Sequence, residues 1–170
     1  MDFRILGPLE VLDDERHVVL GGSKQRALLA LLLIHANETL TTERLIDELW
    51  GERPPPSGAK TVQVQISRLR KALERAAADG CHETVVTRER GYELRIDLEN
   101  VDSHRFEQLI VEGRREVVAG RPERTVSLLE QALSLWRGPP LPEFASEHWR
   151  LVFDLADALA GDVEHLSLPC

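Results

Sequence analysis

Six side chains between residues 57 and 77 could act together on one ligand: Lys60, Val64, Ser67, Arg68, Lys71 and Arg75. At about 100° per residue they share one side of a helix, with Gln63 and Arg70 on its flanks. Val62, Ile66, Leu69 and Leu73 fall on a narrow opposite stripe that must face a core. The outer side is cationic, carries hydrogen-bonding groups and includes one small apolar residue. Arg and Gln side chains pair with guanine and adenine edges, a valine methyl meets a thymine methyl, and a major groove ~12 Å wide admits a helix. Lys60, Lys71 and Arg75 suit phosphates, with the hydroxyls of Thr61 and Ser67 beside them; such contacts fix register and read no sequence. Val64 is the informative residue, because solvent alone gives no reason for an apolar β-branched side chain between charges. The bland alternative is a singly exposed valine, which is common.

A second basic feature follows. Arg88, Glu89 and Arg90 precede Gly91-Tyr92, between the alternating stretches Val85, Thr87 and Tyr92, Leu94, Ile96. This pattern predicts a β-hairpin with arginine at its tip. A narrow minor groove attracts inserted arginine; charge that protects a strand edge is the alternative. Arg90 is the better placed to point off the tip, although alternation does not separate it from Arg88. The formal net charge of −8 argues against nucleic acid at first, but residues 53–95 hold nine Lys/Arg against five Asp/Glu. A local basic face matters more for phosphate binding than the total does.

Other elements must position these groups. Phe3, Ile5, Leu9, Val11, Val18 and Leu20 alternate with polar residues around turns at Gly7-Pro8 and residues 13–16, which predicts a small antiparallel sheet of three or four strands. A helix over 24–36, capped by Ser23, is apolar on every side from 27 to 34 and belongs in the domain centre. A second helix is expected over 42–50. Gly51-Glu52-Arg53-Pro54-Pro55-Pro56 forms a stiff loop before Ser57, a candidate N-cap for the basic helix. Residues 100–102 read as a junction. Helices over 103–119 and 122–136 form an αα-hairpin, lined by Phe106, Leu109, Ile110 and Val117 on one and Val126, Leu129, Leu133 and Trp136 on the other. Gly113, Leu129 and Ala132 fit a tetratricopeptide unit in part. A further helix is expected over 146–166. The fold class is α+β: a winged helix-turn-helix with an N-terminal antiparallel sheet and a C-terminal hairpin wing, then an all-α tetratricopeptide-like region, divided into domains 1–100 and 101–170.

Composition narrows the function classes. The 170 residues are 42% hydrophobic and 29% charged, ordinary for a globular protein, and no run of ~18 apolar residues suggests a membrane span. The N-terminus lacks signal-peptide character. Cys81 and Cys170 imply no disulfide framework, so a cytoplasmic setting is expected. The six histidines make no metal-ligand spacing with either cysteine. Gly21-Gly22-Ser23-Lys24 lacks the spacing of a phosphate loop and turns strand into helix. Lys24 and Arg26 at that helix start are weaker candidates for DNA backbone contact. Nothing resembles a nucleophile–base pair. No enzyme activity, cofactor or metal is expected.

The order of sheet, three helices, basic third helix and Arg-tipped hairpin resembles the OmpR-type winged helix. Residues 60–71 are similar to that family's recognition helix, and Gly91-Tyr92 to the end of its wing. More narrowly, the chain resembles the Streptomyces antibiotic regulatory proteins, on residues 3–11, 21–27, 49–55 and 86–88. Val101-Asp102, Phe106 and residues 135–139 resemble the start of that family's bacterial transcriptional activation domain. The resemblance implies an activator that binds direct repeats on double-stranded DNA upstream of biosynthetic promoters, as a dimer on DNA, and recruits RNA polymerase with its sigma factor. It places Val64, Arg68 and Arg70 on base-contacting positions and the loop with Glu52 and Arg53 on a polymerase-contacting segment. The family's activation domain normally continues for roughly another hundred residues, so a fragment or a short member is expected, and no receiver domain is present to imply phosphorylation control. Two rival functions remain: a truncated DNA-binding member without activation, and a helical protein-interaction module carried on a winged-helix scaffold.

Overall fold

The segment 27–34 is itself apolar on every side, and in the computed structural model, which describes residues 1–77 and 84–144, it forms most of the central helix α1 (Ser23–Ile34). Every residue from Ala27 to Leu33 is buried. The elements around α1 each bury one face against it or its neighbours.

The N-terminal sheet has three antiparallel strands, β1 (Asp2–Arg4), β2 (Glu10–Asp13) and β3 (Arg16–His17), in that order, with Phe3 opposite Val11 and Leu12 opposite His17. Asp14 and Glu15 join β2 to β3 with φ of 46° and 66°. Two successive positive φ values suit the right-handed twist of a tight hairpin. The alternation at Val18 and Leu20 does not extend the strand, which ends at His17. Gly22 rather than Ser23 takes the N-cap position of α1, without a side-chain bond.

The helix-turn-helix follows. α1 ends at Ile34 with His35 as its C-cap, and Asn37 turns the chain beyond it with φ 65° rather than ending the helix; its amide donates to the Leu94 carbonyl, and its side chain exchanges two hydrogen bonds with the backbone of Ile96. The short strand β4 (Thr39–Thr41), which sequence reading missed, then leads into α2 (Thr42–Trp50). Thr41 caps α2 by accepting the Arg44 N–H at 3.2 Å. The basic helix α3 runs Gly58–Ala76, and β5 (Val85–Arg88) and β6 (Gly91–Leu94) form the expected hairpin. β4 adds to it, giving the order β4-β6-β5. Gly91 is required where β4 meets β6, since a Cβ there would lie 1.9 Å from the Leu40 carbonyl oxygen.

Beyond a 3₁₀ turn at Leu98–Asn100 come α4 (Asp102–Val118) and α5 (Pro122–Ser134), an antiparallel pair in which a Cβ on Gly113 would sit 3.3 Å from Leu129 Cδ2. The faces expected for this pair need correction. α5 buries Thr125, Leu128 and Ala132, while Val126 and Leu133 are exposed and Val117 of α4 is only partly covered. The row Val126-Leu129-Leu133 lies beside the packed row, and only Leu129 is half-buried. Phe106 meets Trp136 edge-to-face at 5.6 Å, although α5 ends at Ser134 rather than at Trp136.

The helical pair is fastened to the N-terminal sheet. Phe3 bridges Val101, the Asp102 carboxylate accepts the amides of Ile5 and Leu6 at 2.7 and 3.0 Å, and the Arg137 and Leu141 amides donate to the carbonyls of Leu6 and Gly7. The helix expected over 146–166 lies outside the described residues, as do Cys81 and Cys170.

Candidate nucleic-acid interface

α3 is oriented by its apolar stripe. Val62, Ile66, Leu69 and Leu73 are 1% exposed or less, and Gly58 lets α2 approach, with Ile46 in contact range. Burying that stripe turns the opposite side outward: Lys60, Gln63, Val64, Ser67, Arg68, Lys71 and Arg75 are all exposed. Val64 is 40% exposed, an apolar side chain set among Lys60, Arg68 and Lys71. Thr61 is half-buried, and its hydroxyl donates to the Ser57 carbonyl at 3.0 Å, backing the first turn of the helix.

Arg70 stands apart from this face. It is half-buried; its Nε donates to the Val85 carbonyl at 2.7 Å and its Nη2 to Thr87 Oγ1 at 2.8 Å. The reason is angular. Arg70 lies about 80° from Val62 around the helix, at the edge of the buried stripe, whereas Val64 and Arg68 lie about 200° and 240° from it. The side chain therefore reaches the hairpin. Geometry separates Arg70 from the other two residues with which the family resemblance grouped it.

The hairpin arginines also divide. Arg88 Nε donates to Glu93 Oε2 at 2.6 Å, and Arg95 adds a longer contact to Oε1 at 3.4 Å. The Arg88 hydrogen bond holds the Glu93 carboxyl below the usual carboxylate range against a smaller opposing desolvation, and the same bond raises the Arg88 guanidinium. Glu93 is buried, and sequence reading missed it because its principal partner, Arg88, lies across the hairpin. Arg90, at the turn, is exposed, with its carbonyl accepting the Thr42 N–H at 3.0 Å. The tip is thus pinned to the N-terminus of α2 through backbone while the Arg90 side chain faces solvent.

The loop after α2 turns at Gly51 (φ 57°) and presents Glu52 and Arg53 to solvent. Lys24 and Arg26 are not presented in this way. Lys24 Nζ donates to the Leu49 carbonyl at 2.6 Å and lies 5.6 Å from the Trp50 ring centre, closing the C-terminus of α2. Arg26 Nη2 donates to the Leu9 carbonyl and to Glu143. Both are spent on the fold, which corrects the expectation of DNA backbone contact at that helix start.

Residues 16–94 match the family described as transcriptional regulatory protein, C terminal, and residues 101–158 match the bacterial transcriptional activator domain. The transcriptional regulator RedD of Streptomyces coelicolor is 37% identical over 142 residues, which are 83% of this chain and 40% of that protein. The transcriptional regulatory protein MoaR1 of Mycobacterium bovis is 34% identical over 163 residues, 95% of this chain and 51% of the relative. The solved structure of Mycobacterium tuberculosis EmbR in complex with a low affinity phosphopeptide superposes with a TM-score of 0.87 at 35% identity, covering 95% of this chain and 42% of that one. The pairing of these two matched domains is that of the Streptomyces antibiotic regulatory proteins, which the chain resembles over residues 16–158.

As in that family, an OmpR-type winged helix precedes an activator domain, and the expected α+β fold class holds. Its relatives are named as transcriptional regulators. The chain spans about half the length of the relatives it matches. Among the described residues, no helix is long and apolar enough to cross a membrane.

Proposed function

We propose that this antibiotic regulatory protein domain pair activates secondary-metabolite genes by reading direct repeats in promoter DNA, with α3 in the major groove and Arg90 in the adjoining minor groove. The observation that carries the reading is the outer face of α3. Val64 is 40% exposed within a field of exposed Lys60, Ser67, Arg68 and Lys71, while the aliphatic stripe opposite is sealed. Val64 and Arg68 read base edges. Lys60, Ser67, Lys71 and Arg75 contact phosphates, and Thr61 joins them by turning its hydroxyl proton from the Ser57 carbonyl to a phosphate oxygen. Glu52 and Arg53 offer the α2–α3 loop to RNA polymerase with its sigma factor, and two copies occupy adjacent repeats as a dimer on DNA. The setting is the cytoplasm, and no catalysis is involved.

The test is binding to a promoter fragment carrying tandem repeats against a random duplex, across a salt series. The reading expects preference for the repeats and a steep fall with salt, as displaced phosphate counterions require. Equal, salt-insensitive affinity for both duplexes sinks it. A second reading, a helical interaction module, draws on the apolar side chains exposed on the α4–α5 pair, Val118, Val126 and Leu133. It expects no footprint at low salt. A DNA-binding member without activation would footprint but leave transcription unchanged when residues 101–170 are removed.

A further inference from the structure

We infer that Arg70 is a positioning residue that locks the wing to the recognition helix, so that α3 and Arg90 meet adjoining grooves as one rigid unit; this rests on the DNA-binding reading above. β5 is the outer strand of the sheet β4-β6-β5. The Arg95 amide donates to the Thr84 carbonyl at 2.7 Å, so ladder alternation points the next carbonyl, that of Val85, away from β6. An edge carbonyl turned outward needs a donor. Arg70 supplies it with Nε, and the same guanidinium plane reaches Thr87 Oγ1 two residues along the strand. Val85 and Thr87 point to the same side of β5, the side that faces α3, so the two bonds fix both the distance of the strand from the helix and its rotation. A forked donor suits this task; a lysine, as a point charge, cannot hold both acceptors in one plane.

The lock has a consequence for binding. Arg90 sits three residues beyond Thr87, in the turn that follows the strand Arg70 holds. The Arg90 carbonyl is also held by the Thr42 amide, so the tip is tethered from two sides. If β5 swings on the helix one tether is lost, the offset of Arg90 from Val64 and Arg68 loosens, and its contact becomes a weaker, more independent event. Arg70 thereby contributes to affinity through Arg90 rather than by touching DNA.

The experiment compares Arg70→Ala, Arg70→Lys and Thr87→Val, each with and without Arg90→Ala, in the full chain. Binding is measured to a random-sequence duplex and to a duplex selected from a random pool by the unmodified protein. In the unmodified background Arg90→Ala is expected to lower affinity by about tenfold, and in Arg70→Ala by less than about twofold, the non-additivity of coupled groups. Arg68→Ala keeps its full effect in both. Arg70→Lys behaves as Arg70→Ala, and Thr87→Val gives a partial version while folding is undisturbed. A DNA-free readout runs in parallel: amide exchange across residues 85–94 accelerates in Arg70→Ala and Thr87→Val. An undiminished Arg90 effect in Arg70→Ala, or unchanged exchange, overturns the lock, as does a loss confined to one base pair of the selected duplex. If the unmodified protein binds neither duplex, the DNA-binding reading fails by itself, and the exchange data still decide whether Arg70 holds the wing.

Discussion

At the scale of single residues, chemically similar side chains divide by what they already hold. Arg68 is exposed on α3 and Arg90 at the hairpin tip, whereas Arg88 is committed to Glu93. Arg68→Ala should cost about 1–3 kcal/mol on a specific duplex and relax preference at one base pair, the usual scale of a bidentate base contact. Lys71→Ala should weaken all duplexes alike and reduce the salt slope by about one. Competition binding against single-base variants of the selected duplex checks both; equal losses on specific and random DNA for Arg68→Ala would reject its role. Arg90→Ala should lower affinity and leave thermal stability unchanged. Arg88→Ala should lower the thermal midpoint, because it leaves a buried carboxylate without its principal cation. The pH sign follows from the same pair. The folded state holds the Glu93 pKa below its unfolded value, so its contribution is present above the unfolded pKa and lost as pH falls through the folded one. The stability gap between the unmodified protein and Arg88→Ala should therefore close in acid, and a gap that persists there would dissociate Glu93 from Arg88.

At the scale of elements, what the sequence made legible was what has a long period. Val62, Ile66, Leu69 and Leu73 keep one helical phase over three turns, and α3 forms within a residue of where they place it. Seven consecutive buried residues in α1 likewise leave no alternative to a central position. Strand β4 has three residues, too few for alternation to register, and depends on β6 for its existence. On α5 two apolar rows compete, Thr125-Leu128-Ala132 and Val126-Leu129-Leu133, and the second is the more hydrophobic. Periodicity shows that a row exists without showing which row meets α4; the close approach at Gly113 brings in Leu129, the one half-buried member of the second row, between the two helices. The outer face of α3 was legible because it is local to one helix. The partners of Arg70, Lys24 and Arg26 were not, since each lies 15 or more residues away. The three-stranded wing makes its own prediction. Gly91→Ala would drive a methyl into the Leu40 carbonyl, so β4 must leave β6 or the hairpin must shift. A loss of about 1–3 kcal/mol is expected from such overpacking, read by chemical denaturation, and DNA binding should fall with it. An unchanged midpoint would mean that β4 is dispensable to the wing.

At the scale of the whole molecule, the winged helix and the helical pair share a polar joint rather than a linker. Asp102 opens α4 and closes β1 with the same carboxylate, Arg137 reaches Glu10 and the Pro8 carbonyl, and Glu143 accepts both the Leu9 amide and Arg26. Leu6, from the N-terminal sheet, packs with Phe106, Ile110 and Ala132 of the helical pair. A piece ending at residue 100 would therefore uncover Leu6 and leave the Ile5 and Leu6 amides without their acceptor. That piece should melt below the full chain through the apolar surface it exposes; in Asp102→Ala, where the helical pair still covers the amides, each unsatisfied buried donor costs about 1–3 kcal/mol. The joint also has a defined response to pH. Burial raises the Asp102 pKa above its ordinary value, against the opposing amides of Ile5 and Leu6 and the Arg137 guanidinium. A raised folded pKa means that the folded state holds the proton more tightly, so this group favours folding most below its unfolded pKa and loses that contribution as pH rises through the folded value. Asp102→Asn has no such titration. The unmodified protein should accordingly lose stability relative to Asp102→Asn as pH is raised from about 3 toward neutrality, a comparison that cancels the other carboxylates. Denaturation midpoints of the two proteins across that range give the measurement. A difference that stays flat, or one that moves in favour of the aspartate as pH rises, would mean that the joint is open to water and that the helical pair is not rigidly carried by the winged-helix half.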